Sequence, residues 1–167
     1  LAPAQQESGG LAGALGQLGG LASLAGVNIG AGDSTESKIA QKVMRSWNFI
    51  DNFIVENDLS IEVYAVNRWY EEENKLAIDD DLYDIKTRQW LIVDDDTNEL
   101  RPPTSWELFK KFEKRVSVSE DVKTGLVEVS IKYFSPYIAK AWVDLYVRAI
   151  NEHMQEREVD KVNRNID

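Results

Sequence analysis

From Pro136 to Asp167 no glycine or further proline interrupts the chain. That run constrains the fold more than any other feature. Ser135 suits an N-cap, where its oxygen accepts a backbone N–H, and Pro136 suits the first helical position, where a missing N–H costs nothing. The pair predicts a helix over 136–167. Ile138, Ala141, Trp142, Leu145, Ala149 and Ile150 give it a broad apolar face. Beyond about residue 152 that face thins to Met154, Val159, Val162 and Ile166, set among charges. The first part is expected to pack on a sheet. The last part keeps only a narrow seam, as a coiled coil or subunit contact would use. At roughly 1.5 Å per residue the 32 residues would run on the order of 48 Å, longer than a compact domain of this size needs. No C-cap closes the helix, as expected of a chain cut from something longer.

The sheet it needs lies just before it. In residues 126–134, Val127, Val129, Ile131 and Tyr133 fall on one face, and Glu128, Ser130 and Lys132 on the other. Val116 and Val118 begin a partner strand, with Lys123-Thr124-Gly125 as the turn and Gly125 supplying a positive φ. Thr104-Ser-Trp-Glu107 has the spacing of a capping box and opens a helix whose core face is Leu108, Phe109 and Phe112. Pro102 and Pro103 stop whatever precedes it. Asp33 and Glu36 have the same spacing. Ala40, Val43, Trp47, Ile50 and Ile54 then repeat at helical steps, with Ser46 a point where the helix can divide. Ile61, Val63 and Ala65 fit either a short extended piece or one more helical turn. Short strands are expected near 75–78 and 89–93, separated by acidic turns. Together these elements predict an α+β domain, a small mixed or antiparallel sheet packed against helices, with a long C-terminal helix extending from the base.

Nine of the ten glycines fall in residues 1–33, and residues 8–32 carry no charge. A membrane span is a poor reading of this stretch. Seven glycines with Gln17, Ser23 and Asn28 leave Leu11–Gly32 too weakly hydrophobic. No basic region precedes it, as a secretory signal would require. A flexible Gly/Ala-rich loop over 9–33 is expected, which could order against a neighbouring chain or a membrane.

Charge and composition exclude several function classes. With 19 Lys+Arg against 29 Asp+Glu the net charge is −10, which opposes general nucleic-acid binding and broad docking on an anionic bilayer. The chain has no cysteine and one histidine, His153, so thiolate and two-histidine sites are excluded. No phosphate-binding or dinucleotide loop occurs, and no cofactor or metal is expected. Residues 71–99 hold 11 Asp/Glu against three cations. Asp94-x-Asp96-x-Asn98 copies the start of a calcium loop but places Glu99 and Ser105 where Gly and Glu are needed. These acids read as solvated turns. The rival reading is a carbohydrate-active enzyme using a facing carboxylate pair, or a carbohydrate-binding module. Among the five tryptophans, Trp69, between Arg68 and Tyr70, is the candidate for contacting sugar.

The stretch Ser117-Val-Ser-Glu-Asp-Val-Lys-Thr-Gly-Leu-Val-Glu-Val-Ser-Ile-Lys-Tyr-Phe-Ser-Pro136, continuing through Ala139, Ala141-Trp142-Val143-Asp144 and Ile150-Asn151, resembles the chain length determinant (Wzz-type) family of bacterial polysaccharide co-polymerases. Leu1-Ala-Pro3 is similar to the end of the family's first periplasmic strand, and Ser46-Trp-Asn-Phe-Ile50 through Ile54 and Asn57-Asp-Leu59 to its early helix pair. The resemblance is most specific at 117–151 and weakest at 60–103. It implies one periplasmic α+β base domain over 1–167, two flanking transmembrane helices not in this chain, and a long helix rising into the periplasm. It implies a homo-oligomer at the inner membrane that sets the length of O-antigen or a related exopolysaccharide. The partners implied are further copies of the chain, the Wzy-type polymerase and the growing polysaccharide. It implies no catalytic residues. The kinase module of one branch of the family is absent from this sequence.

Overall fold

A computed structural model describes residues 34–164; the loop expected over 9–33 and the seam residue Ile166 lie outside the described residues. The order is α1 (Ser34–Met44), α2 (Trp47–Glu56), α3 (Ser60–Tyr64), β1 (Val66–Tyr70), β2 (Lys75–Ile78), β3 (Tyr83–Asp84), β4 (Gln89–Trp90), β5 (Ile92–Val93), β6 (Leu100–Arg101), α4 (Ser105–Phe112), β7 (Val116–Glu120), β8 (Val127–Ile131) and α5 (Pro136–Arg164). The fold is α+β. Among the described residues the strands form four separate antiparallel pairs, each a hairpin of consecutive strands.

Local chemistry explains the element boundaries. Ser46 divides the first helical run: its side chain accepts the Phe49 N–H and caps α2. Thr104 and Glu107 form a reciprocal capping box at α4. Ser135 Oγ accepts the Ile138 N–H at 3.4 Å at the start of α5, and Ser135 is fully buried. Between β7 and β8 the Asp121 carbonyl accepts the Gly125 N–H at 2.7 Å, and Gly125 takes φ 68°. The register pairs Val116 with Ile131 and Val118 with Val129. Ile61 and Val63 belong to a helical turn, α3, and not to a strand. Strand β2 lies where it was expected. The run 89–93 is split at Leu91 between two different hairpins, and β1, whose sequence VNRWY lacks apolar alternation, was not anticipated.

The core sits where α2, α4 and the β7–β8 hairpin meet the first half of α5. Tyr146 is at its centre: fully buried, edge-on to Phe49 at 5.2 Å and Phe53 at 4.8 Å, and tilted against Phe112 at 5.7 Å. Its hydroxyl donates to the Met44 carbonyl, which ties α5 to the end of α1. Burying one such ring contributes about 1.5–3 kcal/mol. Trp142 is 3% exposed and stacks on Tyr133 at 4.4 Å, joining helix to hairpin. Two expected core positions are corrected. Ala141 is exposed, and Tyr146 occupies the buried face in its place. Trp47 is 48% exposed, because the break at Ser46 starts a new helix that buries Phe49, Ile50, Phe53 and Ile54 instead.

Candidate functional site

The 29-residue helix α5 has two faces of different character. Successive residues of an α-helix are rotated by about 100°. One face carries Trp142, Tyr146 and Ile150, all buried, and Met154, half-buried and packed against the same core. It continues to Lys161, whose ammonium lies 3.0 Å from Glu36 of α1 and 2.6 Å from Glu158. The Lys161–Glu36 pair ties the distal part of this face to α1 within the same chain, while Arg157, Asp160 and Arg164 stay exposed.

The opposite face carries Tyr137, Ala141, Asp144, Arg148, Glu152, Gln155, Val159 and Val162, and every one of them is exposed. Their spacing of three and four residues makes a continuous stripe. Shallow grooves run along it, one beside Asp144, Arg148 and Gln155, the next beside Glu152, Glu156 and Val159. Val159 and Val162 are each 58% exposed, at its distal end. The seam expected from sequence is thus two surfaces. Met154 is five residues from Val159, which turns it about 140° away. Met154 belongs to the core face; Val159 and Val162 share the outward face. His153 is exposed, with its ring 5.9 Å from Phe49.

Trp69 is half-buried on β1. Its indole N–H donates to Asn74 Oδ1 at 3.1 Å, and its ring meets Tyr137 edge-on at 6.1 Å. It fastens the β1–β2 hairpin to the start of α5. The exposed tryptophans are Trp47 and Trp106, edge-on to each other at 5.5 Å, with the Trp47 indole N–H donating to Ser105 Oγ at 2.7 Å. Spacing alone hid this pair, because the two residues sit 59 positions apart on different helices.

Three of the eleven acids of 71–99 serve their own turns. Asp79 accepts the Asp81 N–H. Asp84 accepts those of Lys86 and Thr87, and Asp94 those of Asp96 and Thr97. Such bonds favour the charged form, and both Asp84 and Asp94 are held below the usual carboxylate range, chiefly by Thr87 and Thr97 respectively. Arg101 bridges Asp94 at 3.1 Å and Glu107 at 2.8 Å, tying the β5–β6 hairpin to the start of α4. Among the described residues no group of three or more His, Asp or Glu is placed to hold a metal ion, and no helix is long and apolar enough to cross a membrane.

A contrasting surface lies at the other end of α4. The run Lys110-Lys-Phe-Glu-Lys-Arg115 is locally basic in an acidic chain. The Arg115 guanidinium lies over Tyr133 at 5.0 Å and Phe134 at 5.1 Å, and the Lys111 ammonium over Tyr64 at 4.3 Å. Compared with known proteins, the chain matches no family model, no curated protein and no solved structure.

Proposed function

We propose that this chain is the periplasmic part of a membrane-anchored homo-oligomeric co-polymerase of the chain length determinant type. On this reading it sets the length of a bacterial polysaccharide together with a Wzy-type polymerase, and it works by assembly, without catalysis. The observation that carries the proposal is the outward stripe of α5, exposed along its length and ending in Val159 and Val162. The residues of the resemblance also fall on consecutive elements in the implied order: hairpin, Ser-Pro cap, long helix.

Magnitudes favour an anchored assembly over a free one. Burying a valine fully contributes about 1.5–3 kcal/mol at most, and these two are already partly covered. Association of free partners costs an estimated 4–15 kcal/mol in lost motion. Two valines and a mixed-charge stripe do not overcome that alone. Membrane anchoring raises the local concentration of neighbours and removes most of the deficit. The test is Val162→Lys in the protein as cells make it. A shifted modal polysaccharide length with total polymer retained is expected. An unchanged distribution, or sugar cleaved by the purified chain, overturns the proposal.

A further inference from the structure

Most cations of this chain stand in water, where an unpaired charge costs nothing. Arg115 does not, and Lys111, though exposed, is held against Tyr64. Arg115 is half-buried, flat against two aromatic rings, and Lys111 sits on Tyr64 while donating to the Tyr64 carbonyl at 3.1 Å. Burial first, then repulsion from Arg115, lowers the proton affinity of Lys111; Asp79 offsets part of this. Burial does the same to Arg115. Among the described residues no carboxylate lies within ion-pair distance of Lys111, Lys114 or Arg115, and the nearby Glu113 is engaged by Lys110 at 3.1 Å. The negative end of α4 explains why cations gather there. It does not explain why Arg115 is drawn partly out of water with no counter-charge, with Lys111 and Lys114 close by in the chain.

We propose that Lys111 and Arg115, with Lys114 beside them, form a binding site for a phosphate oxyanion at the C-terminal end of α4. The Tyr133 and Phe134 rings flank the guanidinium, and a guanidinium offers paired N–H donors to oxygen. Lys111 keeps two N–H donors after its bond to Tyr64. Three cations within residues 111–115 suit a multiply charged group with several acceptor oxygens better than a single carboxylate. The overall charge of −10 opposes spreading over an anionic surface, so the contact is confined to one group. The group could be borne by a soluble phosphorylated compound or by a lipid headgroup. The site is independent of the assembly reading and would stand in a chain that never self-associates.

The test has two arms on the 167-residue chain: calorimetric titration with pyrophosphate, and co-sedimentation with phosphatidylglycerol against phosphatidylcholine vesicles. Arg115→Gln and Lys111→Gln should each weaken binding at least about tenfold, since a hydrogen bond to a charged group is worth about 1.5–3 kcal/mol. Lys140→Gln, which removes an equal charge from the pair with Asp144, should leave binding unchanged. Should Arg115→Gln unfold the chain, exposed Lys114→Gln replaces it, with a smaller but measurable loss expected. Pyrophosphate binding with this pattern assigns a soluble ligand. Phosphatidylglycerol binding alone, with the same pattern, assigns a headgroup. Binding to neither, or equal weakening by Lys140→Gln, overturns the site.

Discussion

The Glu107 carboxylate receives Arg101 through two N–H groups, at 2.8 and 3.1 Å, and also the Thr104 backbone N–H at 2.7 Å. Arg101 is the main reason its pKa falls from the ordinary 4.5 to about 2. A folded pKa below the unfolded one contributes stability that is complete above about 4.5 and is lost as pH falls toward 2. Denaturant midpoints should therefore decline across that window, and Glu107→Gln should flatten the decline while lowering stability at neutral pH. An equal slope in both proteins would show that the clamp contributes nothing. Tyr146 makes the complementary case in the core. Tyr146→Phe keeps the ring but removes the only polar contact of a buried side chain, leaving the Met44 carbonyl short of a donor. A loss of about 1–3 kcal/mol is expected from urea unfolding.

At the scale of elements, the β7–β8 hairpin and its docking on α5 dominate. Ile131 is 8% exposed and lies in the core cluster, so Ile131→Ala should cost about 2–5 kcal/mol in equilibrium unfolding. Thr104→Ala, which removes the cap of α4, should cost about 1 kcal/mol. These elements were legible in the sequence because their causes are local. A Ser-Pro pair, a Thr-x-x-Glu box and a run of alternating valines each act within a few residues. What was not legible depends on distant partners or on phase. The face of α2 was misjudged because a break at Ser46 resets the direction of every side chain after it. Met154 was joined to Val159 and Val162 because thinning hydrophobicity looks like one seam until the five-residue step is turned into an angle. Strand β1 puts Val66 on one face and Trp69 on the other among polar residues, and among the described residues it pairs with β2, so no alternation announces it. The basic run at 110–115 is plain in the sequence, but the rings against its cations, Tyr64 for Lys111 and Tyr133 and Phe134 for Arg115, belong to distant segments. Trp69, the residue singled out for contacting sugar, is half-buried, with its N–H and ring both engaged within the chain, because its partners Asn74 and Tyr137 are supplied by the hairpin turn and by α5.

For the whole molecule, the proposed assembly would use the outward face of α5 and leave the inward face to folding. The inward face holds the domain together, and the outward stripe is exposed from Ala141 onward, beyond the contact of Trp69 with Tyr137 at its start. A charge placed on the stripe should therefore leave the fold within about 0.5 kcal/mol of its original stability while disturbing contacts between copies. The same change on the inward side, Met154→Lys, should destabilise the domain itself, because Met154 packs against the core. The most direct measurement of the proposed assembly is the native mass of the protein as cells make it, extracted in detergent, with and without Val162→Lys. The account predicts a multi-copy assembly for the original protein and a smaller species for the variant, with unchanged circular dichroism. A single-copy mass for the original protein, or an assembly of undiminished size in the variant, would contradict it.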